Sequence, residues 1–155
     1  APAATGQPTV VSDAADRRMV TNTLNVFDAA CLTHRRDIVK SRARLQEIGF
    51  QTVNGAEGPR LVLDNMVADA QVGPNGDARC FAATPVLEVE AFISGLDTLM
   101  RERFADKVTR GAVNGSPAWR AAPEGEEAFI VAVRAARQSP EQPVIAIATL
   151  IAPQG

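Results

Sequence analysis

Residues 78–104 read ARCFAATPVLEVEAFISGLDTLMRERF, and how they divide between strand and helix decides the fold. Ala78 to Ala83 reads as a strand returning from a turn. After it, Val89, Phe92, Leu96, Leu99 and Met100 recur at helical spacing, so the rest of the stretch reads as an amphipathic helix. Thr84 supplies an N-cap and Pro85 suits the first helical position. Glu88 and Glu90 near the start, and Arg101 and Arg103 near Phe104, complement the helix dipole. A helix with one apolar stripe needs a sheet to cover.

Working backward, Gly73-Pro74-Asn75-Gly76-Asp77 reads as a hairpin turn, with Asn75-Gly76 predicting the two-residue type I′ form. A strand from Val67 to Val72 precedes it, and Leu61 and Leu63 share one face of an earlier strand, which follows a glycine-rich turn over residues 54–59. Working forward, residues 106–118 read as an irregular loop. Strands are expected at Trp119 to Ala122, Ala128 to Ala135 and Val144 to Ala152, the last two joined through residues 139–143. Phe129, Val131 and Val133 oppose Ile130 and Ala132, and Ile145 and Ile147 oppose Val144, Ala146 and Ala148. Apolar residues on both sides predict central strands covered on both faces.

The amino-terminal third is helical. Val20, Leu24, Phe27 and Cys31 lie on one stripe of a helix from Ala15, for which Asp13 is a candidate N-cap. A second helix from Arg35 to Ile48 turns Ile38, Leu45 and Ile48 inward and closes at Gly49. The order ααβββαβββ, with hairpin connections, predicts an α+β fold: an N-terminal helical hairpin and an antiparallel sheet with a long amphipathic helix packed on it. Residues 1–14 read as a flexible leader and 15–155 as a single globular domain. The two three-strand segments do not match residue by residue as a repeat.

With 155 residues, 46% hydrophobic and 22% charged, the chain suits one domain and is too apolar for general disorder. A formal net charge of −2 gives no reason to expect nucleic acid as a partner. No apolar run reaches the roughly 20 residues of a transmembrane helix. The chain has two cysteines, Cys31 and Cys80, so one intramolecular pairing is available. A start at Ala1-Pro2-Ala3-Ala4 is what cleavage of a signal peptide leaves. Together these predict a bacterial periplasmic or extracellular protein in which a disulfide staples the first helix to the hairpin.

The candidate sites are few. His34 is the single histidine, set between the helices beside Asp37, with Ser41 one helical turn further on. These residue types could form a hydrolytic relay with His34 as general base, but the nucleophile-elbow pattern is missing. No metal-ligand spacing occurs, and no cofactor is expected. Arg36, Lys40 and Arg44 form a basic stripe suited to an acidic partner face or an anionic envelope component. Trp119 and Arg120, after the long loop, are residue types favoured as interface anchors. The leading expectation is a small exported binding or accessory module for a protein or cell-envelope component. A small hydrolase and a structural subunit of an envelope assembly are the alternatives, and self-association as a homodimer stays open.

Overall fold

In the computed structural model the described residues are 2–56, 58–137 and 139–154, with side chains from Ala14 onward. The chain forms helix α1 (Pro2–Val26), continued by a π-helical turn (Phe27–Leu32), then helix α2 (Ile38–Ile48). Four strands follow: β1 (Gln51–Gly55), β2 (Gly58–Leu63), β3 (Met66–Val72) and β4 (Ala78–Val86). Helix α3 (Val89–Phe104) leads through a short 3-10 turn to β5 (Val108–Val113), β6 (Ser116–Ala121), β7 (Phe129–Ala136) and β8 (Val144–Ala152). One eight-stranded sheet results, ordered β1-β2-β3-β4-β8-β7-β6-β5 and antiparallel throughout. The α+β class and the antiparallel sheet agree with the reading of the sequence. Each half is a four-strand meander, and the halves join where β4 runs against β8 from Ala78↔Ala152 to Val86↔Val144.

Several boundaries differ from expectation. Residues 2–14 are helical, so α1 begins before the expected leader ends and Asp13 lies inside it. Thr84-Pro85 belongs to β4, where Thr84 pairs with Ala146 and Pro85 with Ile145. Proline fits this central strand because β3 has already ended, its last pair being Val67↔Ala83, so the missing N–H faces no β3 partner. Glu88 is the N-cap of α3 instead, in extended conformation and without a side-chain capping bond. Residues 108–121 form a hairpin in place of most of the expected loop. Its turn, Asn114-Gly115, has φ of 51° and 81°, the double left-handed requirement of a type I′ turn. At the other Asn-Gly, Gly76 is left-handed and donates its N–H to the Gly73 carbonyl, while Gly73 N–H bonds Asp77 O. That is a type I turn over Pro74-Asn75 with a glycine bulge, a three-residue loop and not the two-residue form.

All helices pack on one face of the sheet. Met66, Ala68 and Ala70 of β3, Ala78, Cys80, Ala82 and Val86 of β4, and Phe129, Val131 and Val133 of β7 face them and are buried. Ala146, Ala148, Leu150 and Ala152 of β8 complete the covered face. Trp119 and Ala121 of β6 also point inward, under α3. The small residues of β4 and β8 let α1 and α3 approach the sheet closely; the two helices touch where Gly95 meets Leu24. The disulfide Cys31–Cys80 joins the π-helical turn to β4, with 5.4 Å between Cα atoms.

The strands β7 and β8 are central, but they are covered on one face only. Ile130, Ala132, Ile145, Ile147, Thr149 and Ile151 alternate with the buried set and sit half-buried on the face away from the helices. No element lies over this outer face among the described residues, in contrast to the two-sided burial that the apolar runs suggested.

Candidate functional site

Two surfaces compete as the site. The first is the turn between α1 and α2, where the sequence placed most of its candidates. Asp37 is the N-cap of α2: its extended backbone and its Oδ1, accepting the Lys40 N–H at 3.1 Å, end the preceding turn and start the helix. The helix thus begins three residues later than Arg35, and Arg36 lies outside it. Ser41 is buried, and its hydroxyl reaches the carbonyl oxygens of Ala30 at 2.9 Å and His34 at 3.2 Å. Those carbonyls come from the end of the first helix and the turn, where intrahelical donors run out. Ser41 therefore contacts the backbone of His34, with no bond to its imidazole, and Asp37 is committed to capping. The three residues are adjacent without being linked as a proton relay.

The basic stripe is also redistributed. Arg36 donates to Glu126 Oε2 at 3.2 Å and to the carbonyl of Glu127 at 2.8 Å. Arg44 lies 3.9 Å from Glu47, one turn along α2, and Lys40 is exposed. The sequence reading missed the centre of this cluster, Arg35. Its guanidinium makes a two-pronged contact with Glu126, both bonds 2.6 Å, and donates to the Leu32 carbonyl at 2.7 Å. It also stacks 5.4 Å from the Phe104 ring centre and 5.0 Å from that of Phe129. The bonds from Arg35 hold the Glu126 carboxyl below its ordinary range, against the opposing effect of burial, with Arg36 adding to the shift. Glu126 is thereby the pin between the helical turn and the β6–β7 connection. The sequence around it, Glu124-Gly125-Glu126-Glu127, gives no sign of this, because the partners of Glu126 lie some 90 positions away.

Trp119 is fully buried and its indole N–H donates to Asp97 Oδ1 at 2.8 Å, so it is a core anchor for α3. Asp97 also accepts from Arg101 at 3.0 Å, and its pKa is lowered first by that bond and then by the indole. Arg110 stacks 5.1 Å from the Trp119 ring. Arg120, the next residue, points to the opposite, outer face and is exposed.

The second surface is on that outer face. A groove of about 650 Å³ lies across β3, β4 and β8. Val67, Phe81, Ala83, Ile145 and Ile147 form its floor. Gly58-Pro59-Arg60 of β2, which extend past the last β2–β3 pair, Leu61↔Ala68, make one wall. Gln142-Pro143 of the β7–β8 connection make the other, and Asp69 and Gln71 supply polar groups. Asp69 is held by Arg42 at 3.0 Å and its Oδ1 accepts the N–H of Ala70. The volume is in the range of small-molecule sites, typically ~300–1,000 Å³, and an apolar floor with a few polar groups is their usual chemistry. By contrast, the hollow beside His34, lined by Arg36, Asp37, Lys40 and Glu126, is about 280 Å³.

Among the described residues no group of three or more His, Cys, Asp or Glu gathers as a metal site, and no helix is long and apolar enough to cross a membrane. No family model, no curated protein and no solved structure matches this chain.

Proposed function

We propose that this protein is an exported binding module, acting in the periplasm or outside the cell, whose working surface is the open face of its sheet. The observation that carries the reading is the groove over β3, β4 and β8. In an antiparallel sheet the face away from the core is ordinarily polar, yet here its centre is valine, phenylalanine and isoleucine. A contiguous apolar patch with walls marks a place where another molecule sits. Export is supported by the Cys31–Cys80 disulfide, a bond that persists in oxidising compartments. A hydrolytic role for His34 has less behind it, since Ser41 and Asp37 are both occupied by backbone groups.

The neutral apolar dye N-phenyl-1-naphthylamine tests the reading. Its fluorescence is expected to rise on binding the intact protein, to be lost in Ile147→Asp, and to persist in the double variant Arg36→Ala/Lys40→Ala. Trp119 lies on the covered face, so its emission independently reports that each variant is folded. Dye uptake that survives Ile147→Asp in a folded protein would move the binding surface elsewhere.

A further inference from the structure

We infer that the groove takes the acyl chain of a lipid with an anionic headgroup, an inference that rests on the groove being the binding surface proposed above. The strand register fixes which side chains share the outer face. Val62 pairs with Val67, Gln71 with Arg79, Ala83 with Ile147, Arg134 with Ile147, and Arg120 with Ile130, so all of these point the same way. Arg60, two residues before Val62 on β2, joins them and lines the groove itself. The charged strand residues of this face are therefore Arg60, Arg79, Arg120 and Arg134 against Asp69.

Pairing sharpens the asymmetry. Asp69 is neutralised by Arg42, and Arg79 is held by Asp77 at 3.3 Å. Among the described residues no ion pair joins Arg60, Arg120 or Arg134 to a carboxylate. Arg134 borders the groove through its neighbour Ile147, and Arg60 stands on the wall across the floor. An apolar trough flanked by cations on both sides is complementary to an amphiphile with an apolar tail and a negative head.

Charge excludes one other occupant and shape a second. A second copy docked face to face would set these arginines against one another across a low-dielectric contact, which costs rather than contributes. A flat bilayer surface does not fit a floor enclosed by Gly58-Pro59-Arg60 and Gln142-Pro143. A single extracted chain, lying along the trough with its head beside Arg60 or Arg134, satisfies both the shape and the charge.

The test is displacement of N-phenyl-1-naphthylamine from the full chain by three amphiphiles with one tail: dodecyl phosphate, dodecyl maltoside and dodecyltrimethylammonium, each below its critical micelle concentration. Dodecyl phosphate is expected to displace the dye at roughly tenfold lower concentration than the cation, a factor within reach of one partly exposed ion pair gained by the anion together with one like-charge repulsion suffered by the cation. The variant Arg60→Gln/Arg134→Gln should reduce that preference to about twofold or less, read as the ratio of the two potencies so that any change in the shape of the wall at Arg60 cancels. Both positions are exposed, so the fold should tolerate the change, and unaltered Trp119 emission verifies it. Equal potency of the three headgroups, or preference for the cation, overturns the lipid-anion inference while leaving the groove reading intact. Displacement by inorganic phosphate alone overturns the need for a chain. An acidic amphipathic peptide that outcompetes dodecyl phosphate assigns the groove to a peptide and overturns the lipid. Absence of dye uptake in the unmodified protein defeats both the inference and the reading beneath it.

Discussion

Replacing both members of the disulfide, Cys31→Ala/Cys80→Ala, is expected to cost about 4 kcal/mol, worked from the loop that the bond closes. The cysteines are 49 positions apart, and in the chain-entropy model a loop of that length restricts the unfolded chain by about this amount at room temperature. Both residues are buried, so truncation to alanine also removes packed sulfur, which adds to the loss rather than offsetting it. For a domain of this size, a loss of about 4 kcal/mol corresponds to a fall in Tm of roughly 8–16 °C. The assay is urea unfolding at neutral pH, followed in parallel by Trp119 emission and by far-ultraviolet circular dichroism. The loop encloses α2 and β1–β3, whereas Trp119 is in β6, outside it. If the sheet unfolds as one unit, both probes shift to lower urea together and the slope m rises, because the uncrosslinked unfolded chain exposes more surface. A midpoint within error of the parent would refute the reasoning. A loss of stability with m unchanged would place the effect in native packing and not in the unfolded state.

Two further predictions concern the cluster at Glu126 and the contact of α1 with α3. Because its folded pKa is depressed, Glu126 contributes stability that is present above its unfolded pKa and lost as pH falls through the folded one; Glu126→Gln should lower stability at neutral pH and flatten the acid limb of a pH–stability curve below about pH 4. A curve with an unchanged acid limb would show that Arg35 and Arg36 do not hold the carboxylate. At Gly95 an added Cβ would lie 2.6 Å from the end of the Leu24 side chain, so Gly95→Ala should be close to neutral as helix propensity offsets a rotamer shift, while Gly95→Leu should cost about 1–3 kcal/mol by overpacking; equal melting temperatures for the two variants would contradict the close approach.

What the sequence displayed and what it concealed follow from which interactions are local. Helix stripes such as Phe92, Leu96 and Met100, and the closing glycine Gly49, are readable because partners lie within a few residues. Gly49 bonds Gln46 O and Leu45 O, and Phe50 N–H returns to Leu45 O, the arrangement expected at a helix end. The strands β1 and β5 escaped because they are edges. Most of their residues are exposed, so no alternation of apolar and polar residues marks them. Asn114-Gly115 was the available signal for the second of these, and it is stronger evidence of a type I′ turn than Asn75-Gly76 proved to be. Thr84-Pro85 misled for a tertiary reason: whether proline starts a helix or ends a strand depended on where β3 stops.

The groove was the least legible feature, and the reason bears on its function. Its floor comes from β3, β4 and β8, and only the pairing of β4 with β8 brings Phe81 and Ala83 beside Ile145 and Ile147. Read one strand at a time, apolar residues on both sides of β8, isoleucine on one and alanine and leucine on the other, argue for a sheet buried on both faces. The helices can cover only one. α1, α2 and α3 lie on the side of Cys80 and Leu150, tied there by the disulfide, by Arg35–Glu126 and by Trp119–Asp97. Nothing in the interior of the fold requires Ile145, Ile147 and Ile151 to be apolar, since the core closes without them. Threonine at those positions would keep the β-branched shape that strands favour and remove the exposed apolar area. Such a substitution should therefore leave stability nearly unchanged while abolishing uptake of an apolar ligand. If Ile145→Thr/Ile147→Thr instead unfolds the protein, the outer face is part of the core, and the groove has no separate role to explain.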